Sequence, residues 1–314
     1  MTPVYNRDDC IGRCIESVIR NLHDEIDLEH IIVDDGSTDE SARIIFEYAR
    51  QYSHINFIRL NVNQGPNTAR NVAVKEAKGN FCIILDSDDF FVDDAILTIL
   101  TVMQQFPHYR HYLLAPNDMS SKYEQNDLLK GCEHKELLFV DFLSGRVSQD
   151  YVHIIDTDVM KQYPFDESLR IYEGVFFLRF YREVQRILFT NKIVTIRERS
   201  RSDSVTRETF RTSREIIERT IKATELNIKW FKNDYEEMGL WAILNHTYQK
   251  LLDNLLMLDR YSDCKQCMNF LIRNGGSVTA LHKMIYKLRI GWLYRIAIKW
   301  YLTLKYKIIN INLK

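Results

Sequence analysis

Residues 81–89 decide the fold, and they read FCIILDSDD: five apolar residues that pass directly into four polar ones. A short apolar run bounded by a polar cluster is typical of a buried strand. The same arrangement occurs upstream, where the apolar run Ile31 to Val33 ends in Asp34 and Asp35. Two buried strands that end in carboxylates predict a sheet with an acidic edge.

Helical patterns separate these strands. Apolar residues recur at helical spacing from Asp9 to Leu22, and further helices are predicted over about 67–78 and 93–105. Residues 37–40, STDE, form a capping box, which predicts a helix start. This alternation predicts an α/β fold whose mostly parallel sheet has helices on both faces. Ligands of such sheets bind beyond the carboxyl ends of the strands, so both acidic clusters are predicted to face one crevice.

Composition and charge narrow the class of protein. The 314 residues include 42 basic and 43 acidic ones, a balance that gives no reason to expect a nucleic-acid partner. No signal segment follows Met1 and no run of eighteen apolar residues occurs, so we expect a cytoplasmic protein. Cys264 and Cys267 form a single C-x-x-C, which we interpret as buried reduced thiols rather than as a zinc or redox site.

The second part of the chain has a different pattern. Long amphipathic helical patterns dominate from Ser213 onward, so we predict one domain over 1–207 and a helical region over 208–314. The last acidic residue is Asp263, and ten Lys or Arg residues follow it. One helical stripe there is basic and its neighbour is apolar; they are Lys283, Lys287, Arg295 and Lys299, and Met284, Leu288, Trp292, Ile296 and Trp300. This pattern indicates either a helix in an anionic membrane interface or a terminal helix that packs on the core.

The acidic cluster at 86–89 requires a counter-charge. Three Asp residues in four positions repel one another unless a cation or strong hydrogen-bond donors offset the repulsion. Oxygen-only ligands suit Mg²⁺ or Mn²⁺, and a set of one or two carboxylates leaves room for phosphate oxygens. The cluster therefore indicates a metal bound together with a diphosphate.

Four segments occur together in order: PVYN at 3–6, VDDGSTD at 33–39, NQGPNTARN at 63–71 and DSDD at 86–89. Their order and spacing resemble the signature of family 2 glycosyltransferases, which have the GT-A fold and invert the transferred sugar. The resemblance implies a nucleotide-sugar donor, with UDP as the nucleotide, a sugar acceptor, and Mn²⁺ or Mg²⁺ as cofactor. It covers residues 1 to about 115 and continues more loosely to about Thr206.

The resemblance also implies roles for single residues. Asp35 would accept a hydrogen bond from the base of the donor, and Pro3, Tyr5 and Arg70 would lie near the nucleotide. In the D-x-D motif, Asp86 would lie nearer the ribose. The metal would be bound by Asp88 or Asp89.

A later segment, FDESLRIYEGVFFLR at 165–179, is similar to the stretch that carries the catalytic base of this family. Family members commonly have Glu-Asp where this chain has Glu173 followed by glycine, and the resemblance places Glu173 at the base position. Asp166 and Glu167 are the alternatives. After it, residues 197–206 resemble the loop that closes over the donor phosphates, where Arg199 would contact the diphosphate.

The sequence leaves the acceptor, the location and the function open to more than one interpretation. A basic terminal helix at the inner face of the cell membrane would suit a lipid-linked acceptor, as in a bacterial O-antigen or capsule repeat-unit pathway. The alternative function is a nucleotide-sugar-binding or scaffolding protein with a degenerate site, because glycine stands at position 174. A nucleotidylyltransferase would be expected to have a Gly-rich loop before Asp34, and none is present. Since only two residues precede Pro3, we expect a native start further upstream.

Overall fold

The computed structural model describes residues 1–23, 26–169, 172–197 and 213–312, with side chains as far as 302. It divides into two compact units, Met1–Arg201 and Ser202–Lys314. The predicted boundary at 207 lies outside the described residues and stays a prediction.

The first unit alternates strands and helices through its first half, as the apolar pattern predicts. Its strands are β1 Thr2–Val4, β2 His30–Asp34, β3 Ile55–Arg59, β4 Phe81–Ile83, β5 Phe90–Phe91, β6 His111–Pro116, β7 His134–Leu138, β8 Val152–Asp156 and β9 Arg186–Ile196. Its helices are α1 Ile11–Arg20, α2 Ser41–Gln51, α3 Pro66–Glu76, α4 Ala95–Gln105, α5 Ser120–Glu124, α6 Phe139–Leu143, α7 Thr157–Gln162 and α8 Glu173–Val184.

Two sheets form the centre of this unit. Strands β1, β2 and β3 are parallel and pair in that order. A mixed six-stranded sheet has the order β4-β8-β6-β9-β5, with β7 also paired to β9. Met1 joins the sheets, because the Leu85 amide donates to its carbonyl at 3.1 Å and its own ammonium donates to the Ile83 carbonyl at 2.8 Å. The start of β1 therefore lies beside the end of β4 and the residues that follow it.

Both faces of these sheets are covered. All five residues of β2 are buried, which a strand shows only when its two faces are packed. Ile32 packs in a core with residues of α1, α2 and α4, whereas its neighbours Ile31 and Val33 are buried outside that core. The α/β fold predicted from the sequence is confirmed, and its second sheet combines antiparallel pairs with the parallel pair of β6 and β9.

The capping box predicted at 37–40 is wrong. Helix α2 begins at Ser41, and its N-cap residue Glu40 makes no capping hydrogen bond through its side chain. Ser37 Oγ instead accepts a hydrogen bond from the Asn6 amide, and Asn6 Oδ1 accepts one from the Thr38 amide, each at 2.9 Å. These polar groups hold together the loops that follow β1 and β2, an interaction between distant segments that helix-cap spacing does not report.

The second unit is helical, with α9 Arg214–Glu237, α10 Trp241–Met257, α11 Tyr261–Arg273, α12 Ala280–Leu288 and α13 Gly291–Asn312. Cys264 and Cys267 are buried in its apolar core, and burial raises the pKa of each thiol to about 12. Both stay protonated near neutral pH, which agrees with the interpretation of packed thiols. Across the described residues, every helix is too short or too polar to cross a bilayer.

Candidate active site

Arg70 connects the acidic edge of the sheet to the later segment that carries Glu173. It lies in the middle of α3 and is 7% exposed. One guanidinium nitrogen donates to Glu173 Oε1 at 2.6 Å, and the other donates to Asp86 Oδ1 at 3.1 Å. The structure thus brings together three residues that the sequence analysis assigned to the site for separate reasons.

The electrostatics of this cluster favour its charged form. Burial alone would lower the pKa of Arg70, but attraction to the carboxylates of Glu173 and Asp86 raises it above its usual value. The side chains of Glu173 and Asp86 are 35% and 50% exposed, so each carboxylate keeps one side towards solvent. Arg70 therefore orients two carboxylates that remain accessible to a ligand.

Helix α3 also holds the chain that leads to Glu173. Asn67 Nδ2 donates to the carbonyl of Asp166 at 3.0 Å and to the carbonyl of Leu169. One turn further, Asn71 exchanges two hydrogen bonds of 2.9 Å with the backbone of Phe165. Residues four apart lie on one helix face, so a single face of α3 fixes residues 165–169.

Asn67 and Asn71 belong to the motif at 63–71, but the resemblance implies no role for them. The signal available was an amide on each side of Arg70, at positions four residues apart on a predicted helix. That spacing does not indicate which other segment of the chain the two side-chain amides contact. Both residues position the segment that carries Glu173.

The alternative bases, Asp166 and Glu167, lie differently. The Asp166 carboxylate accepts hydrogen bonds from the amide and the hydroxyl of Ser168, which shapes the local turn. Glu167 is exposed and accepts a hydrogen bond from Asn71 at 3.1 Å. Of the three carboxylates, Glu173 is the one that shares a partner with Asp86, and this favours it as the base.

Asp35 lies at the end of β2 and is 2% exposed. Its two carboxylate oxygens accept hydrogen bonds from the backbone amides of Gln64 and Gly65, at 2.8 and 2.7 Å. The next residue, Gly36, has φ of +72°, and a Cβ there would lie 2.8 Å from the backbone of Val62. Asp35 therefore shapes the loop before α3.

Two other residues that are predicted to contact the nucleotide lie in or next to β1. Tyr5 is 41% exposed just after β1, and Pro3 is half-buried within it, in register with Val33. Arg199 lies outside the described residues. The roles of these residues stay predictions.

Residues 86–89 form a tight turn, in which the Asp89 amide donates to the Asp86 carbonyl at 3.0 Å. Asp88 and Asp89 are half-buried, with only oxygen atoms to offer a cation. Within the described ranges no three acidic, His or Cys side chains already converge as a metal site. A site for Mg²⁺ or Mn²⁺ with one or two protein carboxylates, completed by diphosphate oxygens, fits this arrangement.

The family model described as Glycosyl transferase family 2 matches residues 1–161. A poly(ribitol-phosphate) beta-glucosyltransferase of Bacillus spizizenii is 41% identical over 96 residues, which are 30% of this chain and 15% of that protein. A GalNAc(5)-diNAcBac-PP-undecaprenol beta-1,3-glucosyltransferase of Campylobacter jejuni is 25% identical over 210 residues, which are 66% of each chain. This chain thus spans a small part of the first relative and about two thirds of the second.

Solved structures with similar folds include S. aureus TarS 1-349 in complex with UDP-GlcNAc. Its TM-score is 0.59 at 18% identity, over 98% of this chain and 90% of that one. The mannosyltransferase PcManGT of Pyrobaculum calidifontis, in complex with GDP-Man and Mn²⁺, has a TM-score of 0.55 at 13% identity, over 96% of this chain and 83% of that one. At these identities the similarity shows the fold alone, which is GT-A.

Proposed function

Because this chain belongs to glycosyl transferase family 2, we propose that it is an inverting, metal-dependent hexosyltransferase that uses a UDP-sugar donor. The observation that carries this proposal is the contact of Arg70 with both Glu173 and Asp86. Through it, a candidate base and the D-x-D motif share one rigid connection, although 87 residues (173 − 86) separate them in the chain. Such a shared connection suits a site where a donor and an acceptor must meet.

In the proposed reaction, a hydroxyl of the acceptor sugar attacks the anomeric carbon of the donor. Glu173 takes the hydroxyl proton as the new glycosidic bond forms, and the nucleoside diphosphate leaves with the electrons of the broken bond. One displacement inverts the anomeric configuration. A diphosphate is a good leaving group, so the reaction needs no second carboxylate as general acid, in contrast to glycoside hydrolysis.

Asp88 and Asp89 are the proposed metal ligands, as their place in and beside the D-x-D motif implies. The bound Mn²⁺ or Mg²⁺ would offset the negative charge on the diphosphate. Asp35 would bind the base of the donor, and Pro3, Tyr5 and Arg199 would contact the rest of the nucleotide. Arg70 would orient Asp86 towards the ribose and Glu173 towards the acceptor.

The relatives support the choice of substrates. TarS is solved with UDP-GlcNAc, and PcManGT with GDP-Man and Mn²⁺. The Campylobacter jejuni relative acts on an undecaprenol-linked sugar, as its name states. We therefore propose a lipid-linked acceptor, in a bacterial O-antigen or capsule repeat-unit pathway at the inner face of the cell membrane.

The decisive experiment incubates the protein with a panel of nucleotide sugars and Mn²⁺, with and without polyprenyl-diphosphate-linked acceptors. We expect acceptor-dependent release of UDP, with a product of inverted anomeric configuration by NMR. A protein that binds a nucleotide sugar but releases no nucleotide, with or without acceptor and Mn²⁺, would instead be the nucleotide-sugar-binding or scaffolding protein of the alternative function.

Asp88→Ala tests the metal site. We expect transfer to be abolished, because the diphosphate would lose its counter-ion. The matched control is Asp93→Ala, a change at an exposed carboxylate that contacts Arg20 at 3.6 Å. Near-normal, chelator-sensitive turnover in Asp88→Ala would contradict the assignment.

A further inference from the structure

Helices α12 and α13 have an outer apolar face that the described residues of their own unit leave exposed. Its six principal side chains are each between 44% and 65% exposed: Met284, Leu288, Trp292, Leu293, Ile296 and Trp300. Scattered single apolar residues are normal on a surface, whereas Trp292, Ile296 and Trp300, at four-residue steps on α13, share one helix face and indicate a binding surface.

These helices already pack on the second unit through their other side. Ile285 is buried in the core, and Ile290, Tyr294 and Ile298 pack against it. Packing on the core therefore accounts for the inner side of these helices. The membrane interpretation concerns their outer side. The inner side chains anchor α12 and α13, and the outer apolar face is not needed for that packing.

The outer apolar face is bordered by positive charge. Lys283, Lys287 and Lys299 are exposed, and no acidic residue follows Asp263. The carboxylate of Asp253, on α10, contacts His282 at 3.0 Å and Tyr294 at 2.9 Å, on the inner side. A partner that fits this surface must therefore be apolar where it meets the tryptophans and anionic where it meets the lysines.

We propose that the outer apolar face lies on an anionic lipid bilayer, with α12 and α13 parallel to the surface. Tryptophan side chains favour the boundary between headgroups and acyl chains, and lysines beside them attract anionic headgroups. A second copy of this chain fits less well, because a symmetric contact through this face would bring like charges together. The described helices are also unable to span a bilayer, which agrees with a position on its surface.

The test is co-sedimentation of the full-length chain with vesicles of phosphatidylcholine containing phosphatidylglycerol, compared with vesicles of phosphatidylcholine alone. The double variant Trp292→Ser/Trp300→Ser should lower the partition coefficient roughly tenfold or more. Lys283→Glu/Lys287→Glu should lower it at least about tenfold on anionic vesicles, because each basic residue near the surface contributes about fivefold.

Two matched controls change similar side chains elsewhere in the second unit. Trp241→Ser replaces a tryptophan that is 39% exposed on α10, and Lys265→Glu reverses an exposed charge on α11. Both should bind vesicles as the wild type does. Circular dichroism of each variant reports folding, and the lysine variants keep the test valid if the tryptophan variant unfolds.

Equal vesicle binding by wild type and both double variants would overturn the proposal. Equal binding of the wild type to vesicles with and without phosphatidylglycerol would also overturn it. Self-association that is lost in Trp292→Ser/Trp300→Ser, measured by sedimentation velocity without vesicles, would assign the face to a second copy and also overturn it. The assay involves no catalysis, so its failure leaves the proposed reaction untouched.

Discussion

Two carboxylates predicted to lie in the site, Asp35 after β2 and Glu173 at the start of α8, are held in opposite ways. Asp35 is 2% exposed, and each of its carboxylate oxygens accepts a hydrogen bond from a backbone amide of a loop about thirty residues further along the chain. Glu173 has a side chain that is 35% exposed and is held by one side chain, Arg70. Asp35 therefore supports the loop before α3 through buried hydrogen bonds, whereas Glu173, the proposed base, has a side chain that is partly accessible to solvent.

The largest expected effect is that of Glu173→Gln, which keeps the size of the side chain and removes its basicity. A sugar hydroxyl is a poor nucleophile near neutral pH, so loss of a positioned base should lower turnover roughly a hundred- to ten-thousand-fold. Donor and metal affinity should stay nearly constant, because the lost interaction exists mainly in the transition state. Turnover and the donor Kd check this, by steady-state kinetics and calorimetry.

Asp166→Asn and Glu167→Gln are the matched variants for this assignment, since both alternatives lie on the same segment. They should keep most of the turnover. Near-wild-type turnover in Glu173→Gln, with a large loss in one of the other two, would move the base to that residue.

Asp35→Ala should affect stability as well as binding. It leaves the amides of Gln64 and Gly65 without their acceptor; Gln64 is exposed, whereas Gly65 is buried, and an unsatisfied buried group costs about 1–3 kcal/mol. We expect the free energy of unfolding to fall by about 1–3 kcal/mol and the donor Kd to rise. Urea denaturation and donor titration measure the two effects.

Asp35→Asn sharpens this result, because the amide keeps one acceptor oxygen. Its free energy of unfolding should fall by about half as much as that of Asp35→Ala, whereas that of Glu173→Gln should change little. Unchanged unfolding and unchanged donor affinity in Asp35→Ala would remove the distinction between the two carboxylates.

The sequence predicts the Asp35 region better than the Glu173 region for a physical reason. Strand ends follow from local apolar runs, and parallel strands place their carboxyl ends at one edge, so Asp35 and Asp86 could be assigned to one crevice. The contact between Arg70 and Glu173 joins residues 103 apart, and no local periodicity encodes it. Only the resemblance to a family suggested Glu173.

Errors of the sequence analysis have the same origin. The spacing of Ser37 and Glu40 matches a capping box, but Ser37 receives its hydrogen bond from Asn6 of a neighbouring loop. The spacing from Met284 to Trp300 predicts one helical stripe, but the structure divides these residues between α12, which ends at Leu288, and α13, which begins at Gly291. The spacing alone also does not indicate which side faces the core. Tertiary contacts decided both outcomes.

The smallest expected effect is that of Asn71→Ala, which tests whether side chains of α3 hold the Glu173 segment. Asn71 exchanges two hydrogen bonds with the backbone of Phe165, and their loss should cost about 1–2 kcal/mol of stability. Because Glu173 would then be less well positioned, turnover should fall roughly tenfold at unchanged donor Kd. Steady-state kinetics and urea denaturation of the same preparation give both values.

Glu167→Ala is the matched control, because Asn71 also donates to the Glu167 carboxylate at 3.1 Å. If Asn71 acts through the backbone of Phe165, Glu167→Ala should keep near-wild-type turnover while Asn71→Ala does not. Asn71→Asp gives a graded comparison, since a carboxylate still accepts from the Phe165 amide at 2.9 Å but can no longer donate to the Phe165 carbonyl. It should therefore fall between the wild type and Asn71→Ala. A donor Kd that rises with the loss of turnover in Asn71→Ala would show instead that α3 supports the nucleotide, and the positioning role would have to be given up.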